Sequence, residues 1–268
     1  MTLKLAHIGT INTLEKLSVN GDLDFCLLPM CKYSEYKQYF VNQLKQGRFV
    51  IGDNLVAEGE TIPTDELVKI ALELNITELI IPDIIGNKQK TDEMRKDFLD
   101  KYYNDCFQSE IRLMSVVQGS SLDEYMQCFN ELNNDDKIHT IGLPFRMKFF
   151  KFKDMHKDLL HAYNRLLFLN LIKDKVKKPI HCLGCNSIME LLAINKLGFV
   201  RSLDSKILAR YSKNKEEIEY GHEKKPEVKL FITDKLDNSQ IQYIKINLWK
   251  LDELLSEQET KQKSLNTN

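Results

Sequence analysis

Three aspartates and a glutamine stand at the ends of short apolar runs, where packing has no use for a carboxylate or an amide. "RFVIGD" ends in Asp53, "ELIIPD" in Asp83, "RLMSVVQG" carries Gln118, and "FVRSLD" ends in Asp204. Taken alone, an aspartate in such a place serves a turn or caps a helix. Together with Gly142 of "IHTIGLPF" and the turn Cys182 to Cys185, these residues describe a ring of polar groups around one pocket. Two acids in one pocket can divide the work, one as nucleophile and one as proton carrier, provided their environments push their pKa values apart. A glutamine beside an aspartate offers an amide donor and acceptor that can read the edge of a flat heterocycle. Gly142 leaves its backbone N–H open to a carbonyl oxygen.

Such a ring exists only if the ends of these runs meet at one mouth. The apolar segments 3–9, 24–30, 48–53, 78–83, 112–119, 138–145, 179–184 and 199–204 are nearly continuous in Ile, Val, Leu and Phe, as strands buried on both faces are. Helical periodicity separates them. Thr64 to Leu74 opens with Thr64 as N-cap and places Leu67, Ile70, Ala71 and Leu74 on one face. Ser121 to Leu132, Met155 to Ile172 and Ser187 to Leu197 repeat the arrangement, the last stopping at Gly198. Strand-then-helix repetition means parallel strands with crossover helices. Eight strands in 268 residues, without a G-x-G-x-x-G fingerprint, predict a TIM-like (β/α)8 barrel rather than a doubly wound sheet. The whole chain, 1–268, is expected to form this single domain. Residues 205–240 would be a rim insertion, followed by a helix from about Ile241 to Glu257 and a flexible tail over 258–268.

The bulk numbers narrow the partners. With 43% apolar and 29% charged residues the composition is that of an ordinary globule, with no run able to span a bilayer and no secretory leader, so a cytoplasmic location and no membrane contact are expected. The six cysteines are expected to be reduced thiols. A net charge of −1 exerts no global pull on nucleic acid, so a polyanion must be held by a local patch. Three basic stretches qualify: "RMKFFKFK" (146–153), "KDKVKK" (173–178) and "SKILARYSKNK" (205–215), the last directly behind Asp204. Each also reads as a solvated face or a helix end. "HCLGC" has metal-ligand spacing, but with no second ligand pair it reads as a packed strand and turn, and neither metal nor cofactor is expected. The other histidines show no mutual spacing that makes a site.

The ordered set "FVIGDN", "LIIPDI", "MSVVQGSS", "IHTIGLPF", "IHCLGCNS" and "GFVRSLDS", covering about residues 48 to 205, resembles the tRNA-guanine transglycosylase family. Members of that family exchange a guanine base for a 7-deazaguanine on a β/α barrel. The resemblance implies that Asp204 is the nucleophile attacking C1′ of a guanosine nucleotide and Asp53 the acid/base. It further implies that Asp83, Gln118, Gly142 and Leu143 hold the heterocycle. A carboxylate flanking an oxocarbenium-like centre is also the solution of retaining glycosidases.

The chain departs from the tRNA enzymes in three places. Asp53 is followed by "NLVAEGE" instead of Ser-Gly-Gly-Phe-Gln, and Asp204 by "SKILARY" instead of a Pro-Thr-Arg element. No cysteine follows Cys185, so the family's zinc subdomain has no ligands here. A compact relative without that subdomain is similar to the DNA-guanine transglycosylases of bacteriophages and bacteria, which would act in the host cytoplasm when phage-encoded. The expected partners are therefore DNA and a free 7-deazaguanine base such as preQ0 or preQ1, with a homodimer left open. Lys206, Arg210, Tyr211, Lys213 and Lys215 would touch phosphates beside a nucleotide taken out of its stack. Exchange in tRNA, or a non-catalytic subunit serving a second chain, are the alternatives.

Overall fold

The computed structural model describes residues 3–18, 23–55, 62–151, 155–221 and 226–266, the side chains at 158 and 259–266 excepted. Eight parallel strands alternate with helices as a nearly closed (β/α)8 barrel. The strands are β1 (Lys4–His7), β2 (Leu23–Leu27), β3 (Phe49–Asp53), β4 (Glu78–Ile80), β5 (Arg112–Val116), β6 (Thr140–Pro144), β7 (Ile180–Leu183) and β8 (Ser202–Ser205). Hydrogen-bonded neighbours run β1-β8-β7-β6-β5-β4-β3-β2, and β1 and β2 meet at the seam. Every pairing is parallel, so all eight C-terminal ends open on one face.

All eight expected strands are present, each one to three residues shorter than its apolar run. The flanking apolar residues stay in the core: Ile81, Val117 and Val200 are buried just outside β4, β5 and β8. The helices are α1 (Leu14–Leu17), α2 (Ser34–Lys45), α3 (Thr64–Leu74), α4 (Lys88–Gln108), α5 (Leu122–Asn134), α6 (Lys157–Ile172), α7 (Ile188–Leu197), α8 (Ile207–Lys213) and α9 (Asn238–Asn266). Local chemistry sets their ends. Ser121 and Ser187 accept hydrogen bonds from the backbone N–H of Glu124 and Glu190, and Gly198 ends α7 with φ +71°, a conformation that suits a residue without Cβ. Thr64 is the first residue of α3, with Pro63 at the cap.

The C-terminal third continues the helical layer. Helix α9 starts at Asn238 and runs to Asn266, well into the stretch 258–268 expected to be a flexible tail. No glycine or proline occurs after Pro226, so nothing in the backbone chemistry stops the helix. Residues 205–240 do not all lie on the rim either. Helix α8 buries Ile207, Leu208, Ala209 and Tyr211 and packs on α9, completing the layer outside β8 and β1.

At the N-terminal ends of the strands the barrel interior is closed by charge. Glu78, at the start of β4 and fully buried, receives two bonds from Arg201, Nη1 to Oε1 at 3.1 Å and Nη2 to Oε2 at 2.6 Å. The Thr140 hydroxyl donates to the same Glu78 carboxylate, and the Arg201 guanidinium lies over the Phe49 ring. Removing one partner of such a pair strands a buried charge. Glu78→Ala is expected to lower unfolding free energy by about 3–5 kcal/mol, read from urea denaturation of variant and parent.

Candidate active site

Asp204 lies at the end of β8, and its two carboxylate oxygens have different surroundings. Oδ1 accepts the backbone N–H of Gly184 at 2.8 Å and faces His181 Nε2 at 3.3 Å. The direction of the second bond follows from its neighbours. Arg201 Nε can only donate, and it donates to Ser202 Oγ at 3.1 Å. A carboxylate oxygen only accepts, so the ring's Nε2–H points to Asp204, and the Ser202 hydroxyl, 2.9 Å away, donates to the remaining Nδ1 of the neutral ring. Oδ2 receives no hydrogen bond from the described residues, and Asp204 lines a cavity of about 870 Å³ at the barrel mouth.

The turn that supplies the Gly184 N–H is itself held. Gly184 has φ +67°, strained for any residue with a side chain. Arg165 on α6, fully buried, donates to the carbonyls of Leu183 (2.8 Å) and Gly184 (2.6 Å) and pairs with Glu190 Oε1 at 2.5 Å. Ser205 Oγ donates to the Cys185 carbonyl at 2.7 Å and ties the turn to β8.

Across the mouth, Asp83 and Gln118 form a second unit. Gly86 N, an obligate donor, bonds Gln118 Oε1 at 2.9 Å, which orients Gln118 Nε2 to donate to Asp83 Oδ2 at 2.6 Å. Burial pushes the Asp83 carboxyl up from 3.8 to about 6, against the hydrogen bonds from Gln118 and Asn54 that pull it down. Asp53, at the end of β3, also lines the cavity, and its Oδ2 accepts the N–H of Leu55. Asp53, Asp83, Gln118 and Asp204 therefore share one cavity.

Other expected residues are placed differently. Gly142 and Leu143 do not line the cavity: β6 continues to Pro144, so the strand end at the mouth is Pro144 with Phe145 after it. A Cβ at Gly142 would meet Leu183, Val116 and Met114 at 3.2–3.3 Å, so this glycine serves packing inside the barrel. Of the five residues expected to touch phosphate, Lys206 and Arg210 line the cavity. Tyr211 is 3% exposed, Lys213 pairs with Asp234 at 2.7 Å and Lys215 with Asp237 at 3.3 Å. Arg146 and Lys148 of the first basic stretch are at the mouth, and Phe152 to Asp154 lie outside the described residues. Lys177 and Lys178 of the second instead bond Asn134 and the carbonyls of Leu132 and Asp135 at the end of α5.

Sequence reading missed His181 because its partners, Ser202 and Asp204, lie 21 and 23 residues away on the neighbouring strand. It also missed Lys32, Lys157 and Lys229, isolated cations brought to the mouth by three different loops and helices. The only local signal for Asn54 was its position after Asp53. Among the described residues no group of three or more His, Cys, Asp or Glu is arranged to hold a metal.

The raised Asp83 value ties stability to pH. The folded state keeps a proton on Asp83 that the unfolded chain releases near pH 4, so this group's contribution falls as pH rises from about 4 to 6 and the cost is complete above that. The rise corresponds to about 3 kcal/mol. Asp83→Asn is expected to be more stable than the parent at pH 7.5 and equal to it at pH 4. Urea unfolding of both proteins at the two pH values measures the difference.

Compared with protein-family models and with curated proteins, the chain matches none.

Proposed function

We propose that this protein exchanges guanine in DNA for a 7-deazaguanine base, by double displacement through a covalent Asp204–deoxyribosyl intermediate. The observation that carries this reading is the cavity itself. An aspartate with one oxygen fully bonded and the other unbonded among the described residues shares it with a second acid, Asp53, and with the Asp83–Gln118 pair. In the first displacement Asp204 Oδ2 bonds C1′, the C1′–N9 bond breaks, and Asp53 gives the departing guanine its proton. In the second, Asp53 takes a proton from the incoming base, whose nitrogen bonds C1′ and frees Asp204. Two inversions return the original configuration at C1′. Ionised Asp83 accepts the N–H donors of the base edge, and Gln118, bonded to Asp83 Oδ2, holds that carboxylate in place.

A polyanionic substrate is supported by the charge around the opening. Among the described residues seven Lys and Arg side chains line the cavity against three carboxylates, in a chain whose net charge is −1. Lys206 and Arg210 stand on the same side as Asp204, where a phosphate flanking the reacting nucleotide would pass. The reacting base must leave its stack to reach a carboxylate at the floor of the cavity. The choice of DNA over tRNA rests on "SKILARY" after Asp204, where the tRNA enzymes carry a Pro-Thr-Arg element.

The protein is tested with guanine-containing DNA, and in parallel with tRNA, plus labelled 7-cyano- or 7-aminomethyl-7-deazaguanine. Label is expected in DNA; label in tRNA alone would reassign the polymer, and none in either would overturn the proposal. Asp204→Ala is expected to abolish exchange, while Asp204→Asn abolishes exchange and retains base binding by calorimetry. Base affinity of the parent should rise between pH 5 and pH 7 as Asp83 ionises. Lys206→Ala with Arg210→Ala should weaken DNA binding and reduce the salt dependence by about two counterions.

A further inference from the structure

The "HCLGC" spacing draws attention to Cys182 and Cys185, yet the thiols that meet in space are another pair. Cys26 Sγ, in β2, and Cys31 Sγ, in the 3-10 turn Leu28–Lys32 that follows, lie 3.7 Å apart and share a hydrogen bond. Cys26 is fully buried, whereas Cys31 is 8% exposed and lines a separate cavity of about 270 Å³ with Lys32 and Lys37. Cys31 thus faces a cavity lined by two cations and the Glu66 carboxylate, and Cys26 lies behind it.

We propose that Cys26 and Cys31 form a thiol-oxidation site, in which a peroxide oxidises Cys31 and Cys26 resolves the product to a disulfide. The Cys31 thiolate attacks one peroxide oxygen, the O–O bond breaks, and sulfenic acid and hydroxide result. The Cys26 sulfur then attacks the Cys31 sulfur, the S–O bond breaks, and the released hydroxide leaves as water with the Cys26 proton. Two electrons pass from the thiols to the peroxide, which supplies both oxygens of the products. The electrostatics assign the roles in the same order. The hydrogen bond from Cys26 and the Lys37 charge hold the Cys31 thiol below its ordinary 9.0 despite burial, and desolvation pushes Cys26 well above it. By contrast, burial pushes Cys106 and Cys128 to about 11 and Cys182 to about 12.

The bond would also move the mouth. Closing Sγ to Sγ from 3.7 Å to about 2.05 Å draws the turn toward β2. That turn and its continuation carry Met30, Lys32 and Tyr33 of the large cavity. The site stands on its own geometry and does not depend on the proposed base exchange.

The test is hydrogen peroxide on the intact, folded protein, followed by alkylation and unreduced tryptic mapping. Cys26 and Cys31 both fall in peptide 17–32, between Lys16 and Lys32. That peptide is expected to lose two hydrogens and resist alkylation, with thiol reductant reversing both. In Cys26→Ser, Cys31 should stop at sulfenic acid and be captured by a cyclic 1,3-dione; in Cys31→Ser, Cys26 should stay reduced. Alkylation of both thiols in the peroxide-treated parent, or oxidation of Cys182 and Cys185 first, would overturn the proposal.

Discussion

A carboxylate can be kept with one oxygen unbonded at the floor of a cavity only if the rest of it cannot turn. For Asp204 that constraint is met by the Gly184 N–H and the His181 ring, both on Oδ1. Much of the neighbouring structure holds these two donors still. The Arg165–Glu190 pair grips the carbonyls of the Gly184 turn, and Ser202 with Arg201 orients the imidazole. The same Arg201 reaches down to Glu78 and Thr140 at the opposite end of the barrel. One chain of hydrogen bonds therefore spans the interior from the closed end to the mouth, each member held by a polar partner.

The two sides of the cavity use burial in different ways. Around Asp204 the protein supplies donors, which fix the orientation of the carboxylate. Around Asp83 it supplies two amide donors but withholds water, and desolvation prevails, so the carboxyl titrates near 6. Proton occupancy at Asp83 is thus set by the wall around it, while the geometry at Asp204 is set by hydrogen bonds. Separate environments of this kind let acids in one pocket take separate roles.

Charge follows the same division between local and global. The chain as a whole is nearly neutral, and its acids are spread over helix surfaces in pairs such as Lys37–Glu73 and Lys101–Asp65. The cations without sequence neighbours, Lys32, Lys157 and Lys229, are gathered by separate loops and helices to one rim. A field built this way acts at the mouth and is screened within about 10 Å at 0.1 M salt.

The barrel, its eight strands and the placing of Asp53, Asp83, Gln118 and Asp204 were legible in the sequence. Strands buried on both faces must be written as apolar runs, and closing a parallel barrel sends every run's last residue to one face. The packed role of Gly142, the burial of Tyr211 and the pairing of Lys213 and Lys215 were not legible, because they depend on where a strand or helix stops relative to its neighbours. His181 was hidden by sequence distance, and the Cys26–Cys31 pair because a spacing of five does not say whether two sulfurs meet. In a parallel sheet, neighbours in space are some twenty residues apart in sequence, and a C-x-x-C spacing says nothing of which way its sulfurs point. The sequence by itself determined which residues end the strands. Only the tertiary structure decided which of their polar atoms are already bonded and which are left to act on something else.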